Sequence, residues 1–344
     1  MIESTAPTKV MIAGIGGASL GTEICKCLRL AGNYEIYGCD ISPTAFGLYD
    51  AGFAQTYHVN SETYIPDVLE VCRRAGAKWL IPGGEQPNAL LGAAMELFSQ
   101  DGIHVVTNDA ATVGLFSDKE ATFSKLSECG ITIPKTTELT SAEDVNTVGL
   151  PCIVKPATGS GGSASVFFAL SSDEALIYAD FIRRNGNIPI AQEYVSDAEG
   201  EFTIGVLSLP DGRMVGSIAL RRALDAKLSV AYRGRGGVVS SGYSQGYIDS
   251  FPDLRQQAEY IAVAIQSRGP INVQGRVRNG VLMPFEINPR FSASAYLRAL
   301  AGFNEIDMLL RYLTTGEMPT YGPIKSGWYF RSLTEIFVAN EDIK

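Results

Sequence analysis

The sequence is poor in the residue types on which several kinds of catalytic site depend. Its 344 residues include two histidines, His58 and His104, and neither has a metal-ligand spacing around it. A Ser-His-Asp triad and a histidine-rich zinc site are therefore set aside. The six cysteines form no C-x-x-C pair. We expect them to be buried free thiols of a cytoplasmic protein, with a nucleophilic or zinc-binding cysteine as the alternative.

The sequence also lacks the features that membrane and nucleic-acid partners require. No apolar run approaches the ~18 residues of a membrane-spanning helix, and residues 1–8 are polar, with no export signal. The formal net charge is −9, whereas a nucleic-acid protein needs a basic face. We expect no membrane and no nucleic acid as partners. A local basic groove for a phosphorylated small molecule remains compatible with this charge.

Glycine, in contrast, is abundant. The chain has 36 glycines, a share above the ~7% of an average protein. The informative ones fall in four clusters, at residues 14–21, 83–84, 159–162 and 234–237. Because glycine lets a backbone turn tightly and approach a ligand closely, each cluster is a candidate binding loop.

The first third of the chain has the pattern of a parallel α/β sheet. We predict strands at 9–15, 35–40, 78–82 and 103–107, and helices at 22–31, 63–75 and 88–99. Strands that alternate with helices form right-handed crossovers and a doubly wound sheet, here ending near Asn108.

The pattern then changes to α+β. After a helix at 118–129, strands are predicted at 152–155, 165–170, 190–194, 202–207 and 214–219, with few helices between them. A helix at 252–267, paired strands at 271–277 and 281–287, and a helix at 293–313 follow. This antiparallel character predicts a second domain of different architecture.

The first glycine cluster joins a strand to a helix, where a helix N-terminus favours an anion. Gly16 and Gly17 lie in it, and Asp40 ends the next strand, where a dinucleotide fold binds ribose. A nicotinamide-dependent dehydrogenase is therefore an alternative function, although Ser19 stands where that fingerprint has glycine. A tight turn without a ligand is the other alternative. Glu85, after the second cluster, would bind an ammonium group or serve as a carboxylate at a helix N-terminus.

The third glycine cluster follows a strand that ends in Lys155 and precedes another strand. It is not a Walker loop, because its lysine comes before the glycines and no helix follows. We interpret it as a hairpin flap whose amides close over a polyphosphate, with Lys155 as the charge partner. A glycine hairpin without a ligand is the alternative.

Glu286 and Asn288 lie two residues apart on a predicted strand and therefore face the same side. Their oxygens suit Mg²⁺, which keeps water and substrate phosphates as further ligands. A two-residue turn at Asn279 and Gly280 would place Gln274 of the preceding strand on the opposite face from Glu286, whereas a three-residue loop beginning at Arg278 would place them together.

We predict the three-residue loop, because it gives Val281, Met283, Phe285 and Ile287 one apolar face with Ile271, Val273 and Val277. The polar face would then hold Asn272, Gln274, Arg276, Glu286 and Asn288. A solvated face is the alternative, and pairing of Val277 with Leu282 would contradict this register.

Arg233 and Arg235 lie in the fourth glycine cluster. The planar guanidinium fork suits a carboxylate or a phosphate, so these arginines are candidates for clamping a substrate as a mobile loop closes. A solvated surface loop is the alternative.

Taken in order, these motifs resemble a known superfamily. They are Lys155 with its glycine loop, Gln192-Glu193-Tyr194-Val195, Glu201, Gln274 and Glu286-Ile287-Asn288-Pro289-Arg290. The set resembles the ATP-grasp superfamily, in the branch of the synthetase units of the carbamoyl-phosphate synthase large subunit. Asp118-Lys119 with Phe123 and Leu126 is similar to the entry helix of that family.

The resemblance implies a fold that combines α/β and α+β parts. It implies a Rossmann-like pre-ATP-grasp domain over residues 1–112 and a two-lobed ATP-grasp domain over 113–344. Within the second, a lid would cover about 115–190 and a larger catalytic lobe about 191–344.

The resemblance also implies roles for individual residues. Lys119 and Lys155 would contact the ATP phosphates under a flap of Gly159, Ser160, Gly161, Gly162 and Ser163. The adenine would be read at the hinge by Glu193 and Val195, which flank Tyr194, and Glu201 would take the ribose hydroxyls. Gln274, Glu286 and Asn288 would hold Mg²⁺ (or Mn²⁺), and Arg290 would stabilise the transferring phosphoryl group.

The family reaction phosphorylates a carboxylate to an acyl phosphate, which an amine attacks. The implied enzyme is an ATP-dependent ligase for a small carboxylate and a small amine, with Gly16, Gly17, Asp40, Glu85, Arg233 and Arg235 as substrate candidates. Bicarbonate or carbamate as the acid is the alternative within the branch, and a homodimer is compatible with it. The chain departs from the carbamoyl-phosphate enzyme in having one synthetase unit and lysines at 119 and 155. These departures favour a stand-alone ligase.

Overall fold

The computed structural model describes residues 6–116, 119–157 and 165–344, with the backbone alone at 119 and 120. Three sheets organise it, which we call the N-terminal, small and large sheets. The N-terminal sheet is parallel, in the order β3-β2-β1-β4-β5. Its strands are β1 (Thr8–Ala13), β2 (Tyr34–Asp40), β3 (Gln55–His58), β4 (Trp79–Pro82) and β5 (His104–Val105). Its helices are α1 (Leu20–Ala31), α2 (Tyr64–Ala75), α3 (Glu85–Ala93), α4 (Met95–Gln100) and α5 (Ala110–Phe116).

The predicted parallel sheet is confirmed, because both faces of β1 are apolar and both are covered. Val10 and Ile12 pack in one core cluster, and Met11 and Ala13 pack in another on the opposite face. A strand that is buried on both faces is typical of a parallel sheet with helices on each side. The predicted helix at 88–99 is divided between α3 and α4, which Ala94 separates.

The small sheet has the order β6-β9-β7-β8, and its described pairings are antiparallel. Its strands are β6 (Thr136–Glu138), β7 (Cys152–Pro156), β8 (Phe167–Ala169) and β9 (Pro189–Glu193). The helices near it are α6 (Lys119–Glu128), α7 (Ala142–Val148) and α8 (Ser172–Arg184). The prediction of few helices in this region is wrong for α7 and α8, which cover one face of the sheet.

The large sheet has the order β16-β15-β10-β11-β14-β17. Its strands are β10 (Glu201–Ser208), β11 (Met214–Arg222), β14 (Gly246–Asp249), β15 (Pro270–Arg278), β16 (Val281–Asn288) and β17 (Gly327–Tyr329). A separate hairpin pairs β12 (Val230–Gly234) with β13 (Gly237–Ser240). The helices here are α9 (Pro252–Ala264), α10 (Ala295–Leu300) and α11 (Glu305–Thr315).

The single helix predicted at 293–313 is wrong, because a turn separates α10 from α11. Gly302 adopts a φ of +102°, which a helix interior does not allow, and Asn304 then caps the second helix by accepting a hydrogen bond from the Asp307 amide. Within the described ranges, no helix is long and apolar enough to cross a membrane.

The predicted register of β15 and β16 is also wrong. Val277 pairs with Leu282 across a two-residue turn at Asn279 and Gly280, both of which have positive φ, as a tight hairpin of this kind requires. Leu282 therefore enters the core with Val277, whereas Val281 is 40% exposed.

Gln274 nevertheless lies opposite Glu286, as predicted, for a different reason. A β-bulge shifts the pairing between Gln274 and Gly275, which face Glu286 and Pro284 respectively. Phe285 is the extra residue, and it returns Glu286 to the face of Gln274. With this two-residue turn, unbroken alternation along β16 would have placed Glu286 on the opposite face from Gln274.

Several hydrogen bonds join the N-terminal sheet and its helices to the large sheet and its helices, and those of Asn108 and Arg331 are examples. Asn108, which is fully buried, donates from Nδ2 to Ser267 Oγ at 2.8 Å. Arg331, beyond β17, donates from Nη2 to Glu23 Oε2 of α1 at 3.1 Å, with both side chains more than nine-tenths buried. Polar contacts of this depth fix the relative placement of the two units.

Candidate functional site

A cavity of about 100 Å³ lies between the small and large sheets, and we call it the interlobe cavity. Strands β7, β9, β10, β13, β15 and β16 all contribute to its walls. Six residues predicted for nucleotide or metal binding line it: Lys155, Glu193, Tyr194, Val195, Glu201 and Glu286. The fold therefore brings together residues that are far apart in the sequence.

Lys155 lies on β7, and only 5% of it is exposed. Its Nζ donates to Gln192 Oε1 at 2.9 Å and to the Phe285 carbonyl at 3.3 Å, and it lies 5.3 Å from the Phe123 ring centre. These contacts orient the ammonium group where the small sheet meets the bulge of β16.

The predicted flap (Gly159, Ser160, Gly161, Gly162 and Ser163) lies outside the described residues, as does the side chain of Lys119. Their assignment to ATP phosphates stays a prediction.

The segment 193–195, which leaves the small sheet after β9, forms one wall of the interlobe cavity. The carboxylate of Glu193 accepts the Lys135 amide at 3.1 Å and pairs with Arg278. Burial raises the pKa of Glu193, but these hydrogen bonds outweigh it and hold the pKa below its usual value. The Glu193 amide donates to the Lys135 carbonyl at 2.8 Å, and the reading of adenine by Glu193 and Val195 stays a prediction.

Glu201, at the start of β10, lies in a buried ion cluster with two arginines. Its Oε2 accepts from Arg276 Nε at 2.9 Å, and its Oε1 is 3.3 Å from Arg222 Nη1. Oε1 is buried and accepts no hydrogen bond within the part of the chain that the structure describes. An acceptor without a donor in a cavity wall fits the predicted ribose hydroxyl, so the residues present fit a nucleotide here.

The predicted metal ligands lie at the ends of β15 and β16. Gln274 donates from Nε2 to Glu286 Oε2 at 2.9 Å, which leaves its amide oxygen for a cation. Asn288 accepts from Arg290 Nη2 at 3.2 Å, and its buried Nδ2 has no partner among the described residues. One carboxylate and two amide oxygens fit Mg²⁺, whose other ligands are water and phosphate. The described residues hold no cluster of three or more His, Cys, Asp or Glu side chains that could bind a metal.

Not every member of the predicted polar face belongs to the cavity. Asn272 accepts hydrogen bonds from Thr203 and from Arg298, which is fully buried and pairs with Glu305 at 3.2 Å. This group lies inside the fold and stabilises the packing of α10 and α11 on the large sheet.

Arg290 follows Asn288 and is half-buried. Its Nη1 donates to the Phe291 carbonyl at 2.9 Å. Burial lowers the pKa of Arg290, and the carboxylates of Glu286 and Glu85 oppose this shift.

Glu85 of α3 also lines a small cavity of about 20 Å³ with Glu286 and Asn288. Helix α3 therefore places an acidic residue beside the predicted metal ligands.

The predicted glycine-rich loop is the exposed β12–β13 hairpin, in which Arg233 lies on β12 and Arg235 lies in the turn. Arg233 donates to the Leu224 carbonyl. Val238 and Ser240 of the same hairpin line the interlobe cavity. The hairpin thus covers the cavity while its arginines face outward.

A second cavity, of about 250 Å³, lies at the carboxyl ends of β1, β2 and β4, and we call it the N-terminal cavity. Gly16 and Asp40 line it. Both carboxylate oxygens of Asp40 accept backbone amides, from Ile15 at 2.7 Å and Ser42 at 3.0 Å.

The glycines beside the N-terminal cavity differ in what surrounds them. A Cβ on Gly17 would lie 2.9 Å from Phe46, whereas one on Gly16 would meet open space. A Cβ on Gly21 would lie 2.0 Å from the Gly14 carbonyl, so close packing accounts for that glycine. Of the four substrate candidates in this unit, Gly16 and Asp40 line the N-terminal cavity, whereas Gly17 and Glu85 lie next to lining residues but do not line it.

Sequence reasoning missed the roles of Arg222 and Arg276. It placed Arg276 on the polar face but gave it no partner. The signal that could have found it is an arginine two residues after Gln274 on a strand that enters a cavity, where a buried guanidinium must be paired.

Known proteins share this sequence pattern and this fold. The sequence-family model of the ATP-grasp domain matches residues 116–294, just over half of the chain. Two curated relatives are the carbamoyl phosphate synthase large chains of Neisseria meningitidis serogroup B and of Sulfolobus acidocaldarius. The Neisseria protein is 23% identical over 66% of this chain, and the match covers 21% of that protein. The Sulfolobus protein is 22% identical over 90% of this chain, and the match covers 30% of that protein. The chain therefore spans less than a third of their length.

Solved structures resemble the whole fold. The biotin carboxylase domain of 2-oxoglutarate carboxylase from Hydrogenobacter thermophilus matches with a TM-score of 0.67 and 15% identity, over 94% of this chain and 73% of that one. The L-amino acid ligase of Bacillus licheniformis matches with a TM-score of 0.65 and 14% identity, over 90% of this chain and 75% of that one. The predicted resemblance is confirmed: the chain belongs to the ATP-grasp family.

Proposed function

We propose that the protein is an ATP-dependent ligase that joins a carboxylate to an amine. One observation carries the proposal. Lys155, Val195, Glu201 and Glu286, each predicted for a different part of bound MgATP, line one cavity between two sheets. Glu201 Oε1 and Asn288 Nδ2 are buried there or beside it, and neither has a hydrogen-bond partner among the described residues, as expected of groups that a ligand completes.

In the proposed reaction, a carboxylate oxygen attacks the γ-phosphorus of ATP as the bond to ADP breaks. The amine then attacks the acyl carbon, loses a proton and displaces phosphate. Mg²⁺, held by Gln274, Glu286 and Asn288, would neutralise charge on the phosphates. Lys155 would bind a phosphate, and Arg290 would stabilise charge on the transferring group.

We assign the second substrate to the N-terminal sheet. Residues 1–112 would form the pre-ATP-grasp domain, and the small sheet would belong to the lid of the ATP-grasp domain over 113–344. The open space at Gly16 and the position of Asp40 support binding in the N-terminal cavity. Glu85 would face the reacting groups, and Arg233 and Arg235 would bind the part of a substrate that extends out of the cavity.

A screen of carboxylate and amine pairs tests the proposal. The purified protein is incubated with MgATP and each pair, and released phosphate is measured. We expect release that requires both an acid and an amine and that is lost in Glu286→Ala. Hydride transfer from a nicotinamide cofactor without ATP turnover would instead favour the dehydrogenase.

The names of the sequence relatives favour a second candidate, a synthetase that acts on bicarbonate or carbamate. Phosphate release with bicarbonate alone, compared with release in bicarbonate-depleted buffer containing an organic acid and an amine, separates the two candidates.

A further inference from the structure

Arg276 holds three separate segments around the interlobe cavity. It is 5% exposed and lines the cavity wall. Its Nε donates to Glu201 Oε2 at 2.9 Å. Its Nη1 donates to the Val195 carbonyl at 2.7 Å, and its Nη2 donates to the Val238 carbonyl at 2.7 Å. A single guanidinium on β15 thus contacts β10, the segment after β9 and the hairpin strand β13.

Tyr194 holds the same hairpin residue from its other side. Its hydroxyl accepts a hydrogen bond from the Val238 amide at 3.0 Å, and its ring centre lies 4.8 Å from Cζ of the Arg276 guanidinium. A Cβ on the neighbouring Gly237 would lie 2.4 Å from the Phe168 ring and 2.9 Å from the Tyr194 ring, so glycine lets both rings approach the hairpin. Both polar groups of Val238 are therefore bound by residues of the cavity wall.

We propose that Arg276 is a positioning residue that fixes the hinge segment 193–195 and the β12–β13 hairpin at one separation. The inference rests on the proposed function, because that separation is the width of the nucleotide cavity. Arg276 acts through Val195 and Val238 and not by touching the reacting atoms. It would keep the backbone of residues 193–195 in place to bind the adenine base. It would also hold the β12–β13 hairpin, which carries Arg233 and Arg235, in its position over the cavity.

Arginine suits this position in a way that lysine does not. A guanidinium presents several N–H donors in a fixed plane, so it binds one carboxylate and two carbonyls at once. A lysine would retain the positive charge beside Glu201 but would not bridge the two carbonyls. Charge balance and geometric clamping can therefore be separated by Arg276→Lys.

The experiment compares Arg276→Lys, Arg276→Met and a control. Arg213→Lys is the control, because Arg213 is exposed on the turn before β11 and pairs with Asp211. Binding of a non-hydrolysable ATP analogue with Mg²⁺ is measured by calorimetry. Tryptic cleavage after Arg233 and Arg235 is measured without nucleotide, and the thermal midpoint is recorded for every variant.

We expect Arg276→Lys to bind the analogue about tenfold more weakly than wild type, since two hydrogen bonds to a charged group are lost. We expect severalfold faster cleavage of the hairpin and a modestly lower thermal midpoint, because two carbonyls lose their donor. Arg276→Met should show the same losses with a larger fall in the thermal midpoint, because Glu201 also loses a counter-charge. Wild-type binding and wild-type cleavage in Arg276→Lys would overturn the proposal.

The two readouts keep this proposal distinct from the proposed function. If the wild-type protein does not bind the analogue, the proposed function fails, while the cleavage assay still decides whether Arg276 clamps the hairpin. The double variant Arg276→Lys, Tyr194→Phe adds a further test. Because both residues hold Val238, their effects on cleavage should be less than additive, and full additivity would contradict a shared clamp.

Discussion

Gln274 and Glu286 face each other across β15 and β16, with Gln274 Nε2 at 2.9 Å from Glu286 Oε2, although the turn between their strands is one residue shorter than alternation predicts. The bulge at Phe285 restores the pairing. It also places the Phe285 carbonyl 3.3 Å from Lys155 Nζ. One irregularity in a strand therefore serves both the metal-ligand candidates and the lysine.

The carboxylate of Glu286 is the only acidic member of the predicted metal-binding set. We expect Glu286→Ala to abolish Mg²⁺-dependent release of ADP, because amide oxygens alone bind Mg²⁺ weakly. Nucleotide binding in the presence of a chelator should change little. Glu317→Ala, at an exposed position after α11, is the matched control. Wild-type turnover in Glu286→Ala would refute the metal assignment.

Lys155 is the described cation closest to the predicted phosphate flap in the sequence. We expect Lys155→Ala to weaken ATP binding by about tenfold or more, since it removes a charge-assisted contact from a buried site. Lys78→Ala, at an exposed lysine before β4, should bind as the wild type does. Equal affinities in the two variants, measured by calorimetry, would remove Lys155 from the phosphate site.

The sequence predicted much of the site because its residues lie in short linear motifs on strands. Lys155 follows a β-branched run, and the residues from Glu286 to Arg290 follow one another directly, so local spacing gave their placement. The partners of Arg276 could not be predicted in this way. Val195 and Val238 lie 81 and 38 residues from it, and backbone carbonyls have no signature in a sequence.

The missed helix α8 has a different cause. Ile177 and Phe181 lie on its outer side and are 67% and 50% exposed, so apolar residues occur on both sides of the helix. An apolar stripe repeating every three to four residues is the main signal for an amphipathic helix, and here it is blurred. In the N-terminal unit, by contrast, α1 and α2 each bury an apolar face beside apolar strands, and the predicted alternation of strands and helices is confirmed.

The ion cluster of Glu201 should matter for stability. Removing the buried charge in Glu201→Gln would leave Arg222 and Arg276 without their shared counter-charge, which typically costs about 3–5 kcal/mol. Asp180→Asn is the control, because the Asp180–Arg184 pair on α8 is mostly exposed, and such pairs contribute about 0–1 kcal/mol. Urea denaturation measures both. A loss no larger than that of the control would contradict a buried charge at Glu201.

The buried thiols predict a dependence on alkaline pH. Burial raises the pKa of Cys25 and Cys72 from 9.0 to about 12, and that of Cys152 to about 11. A group whose pKa is higher in the folded protein holds its proton more tightly there. Its contribution to stability is therefore complete below pH 9 and is lost as the pH rises towards these values.

Two measurements check this dependence. The free energy of unfolding should fall from about pH 9 upwards. At pH 8, the native protein should react slowly with an aromatic disulfide reagent, because the thiolate is the reactive form. Cys129, which is half-buried, should react first, and Cys129→Ser should remove that phase. Rapid reaction of all the thiols in the native protein would contradict the burial.

The contacts of Asn108 with Ser267 and of Arg331 with Glu23 have a mechanical consequence. They hold the N-terminal and large sheets together, so we expect any opening of the interlobe cavity to come from movement of the small sheet. Residues 193–195 follow the last strand of the small sheet, and we expect them to be the pivot. A disulfide introduced between the small and large sheets should then prevent nucleotide entry, whereas one between the N-terminal and large sheets should leave it unchanged.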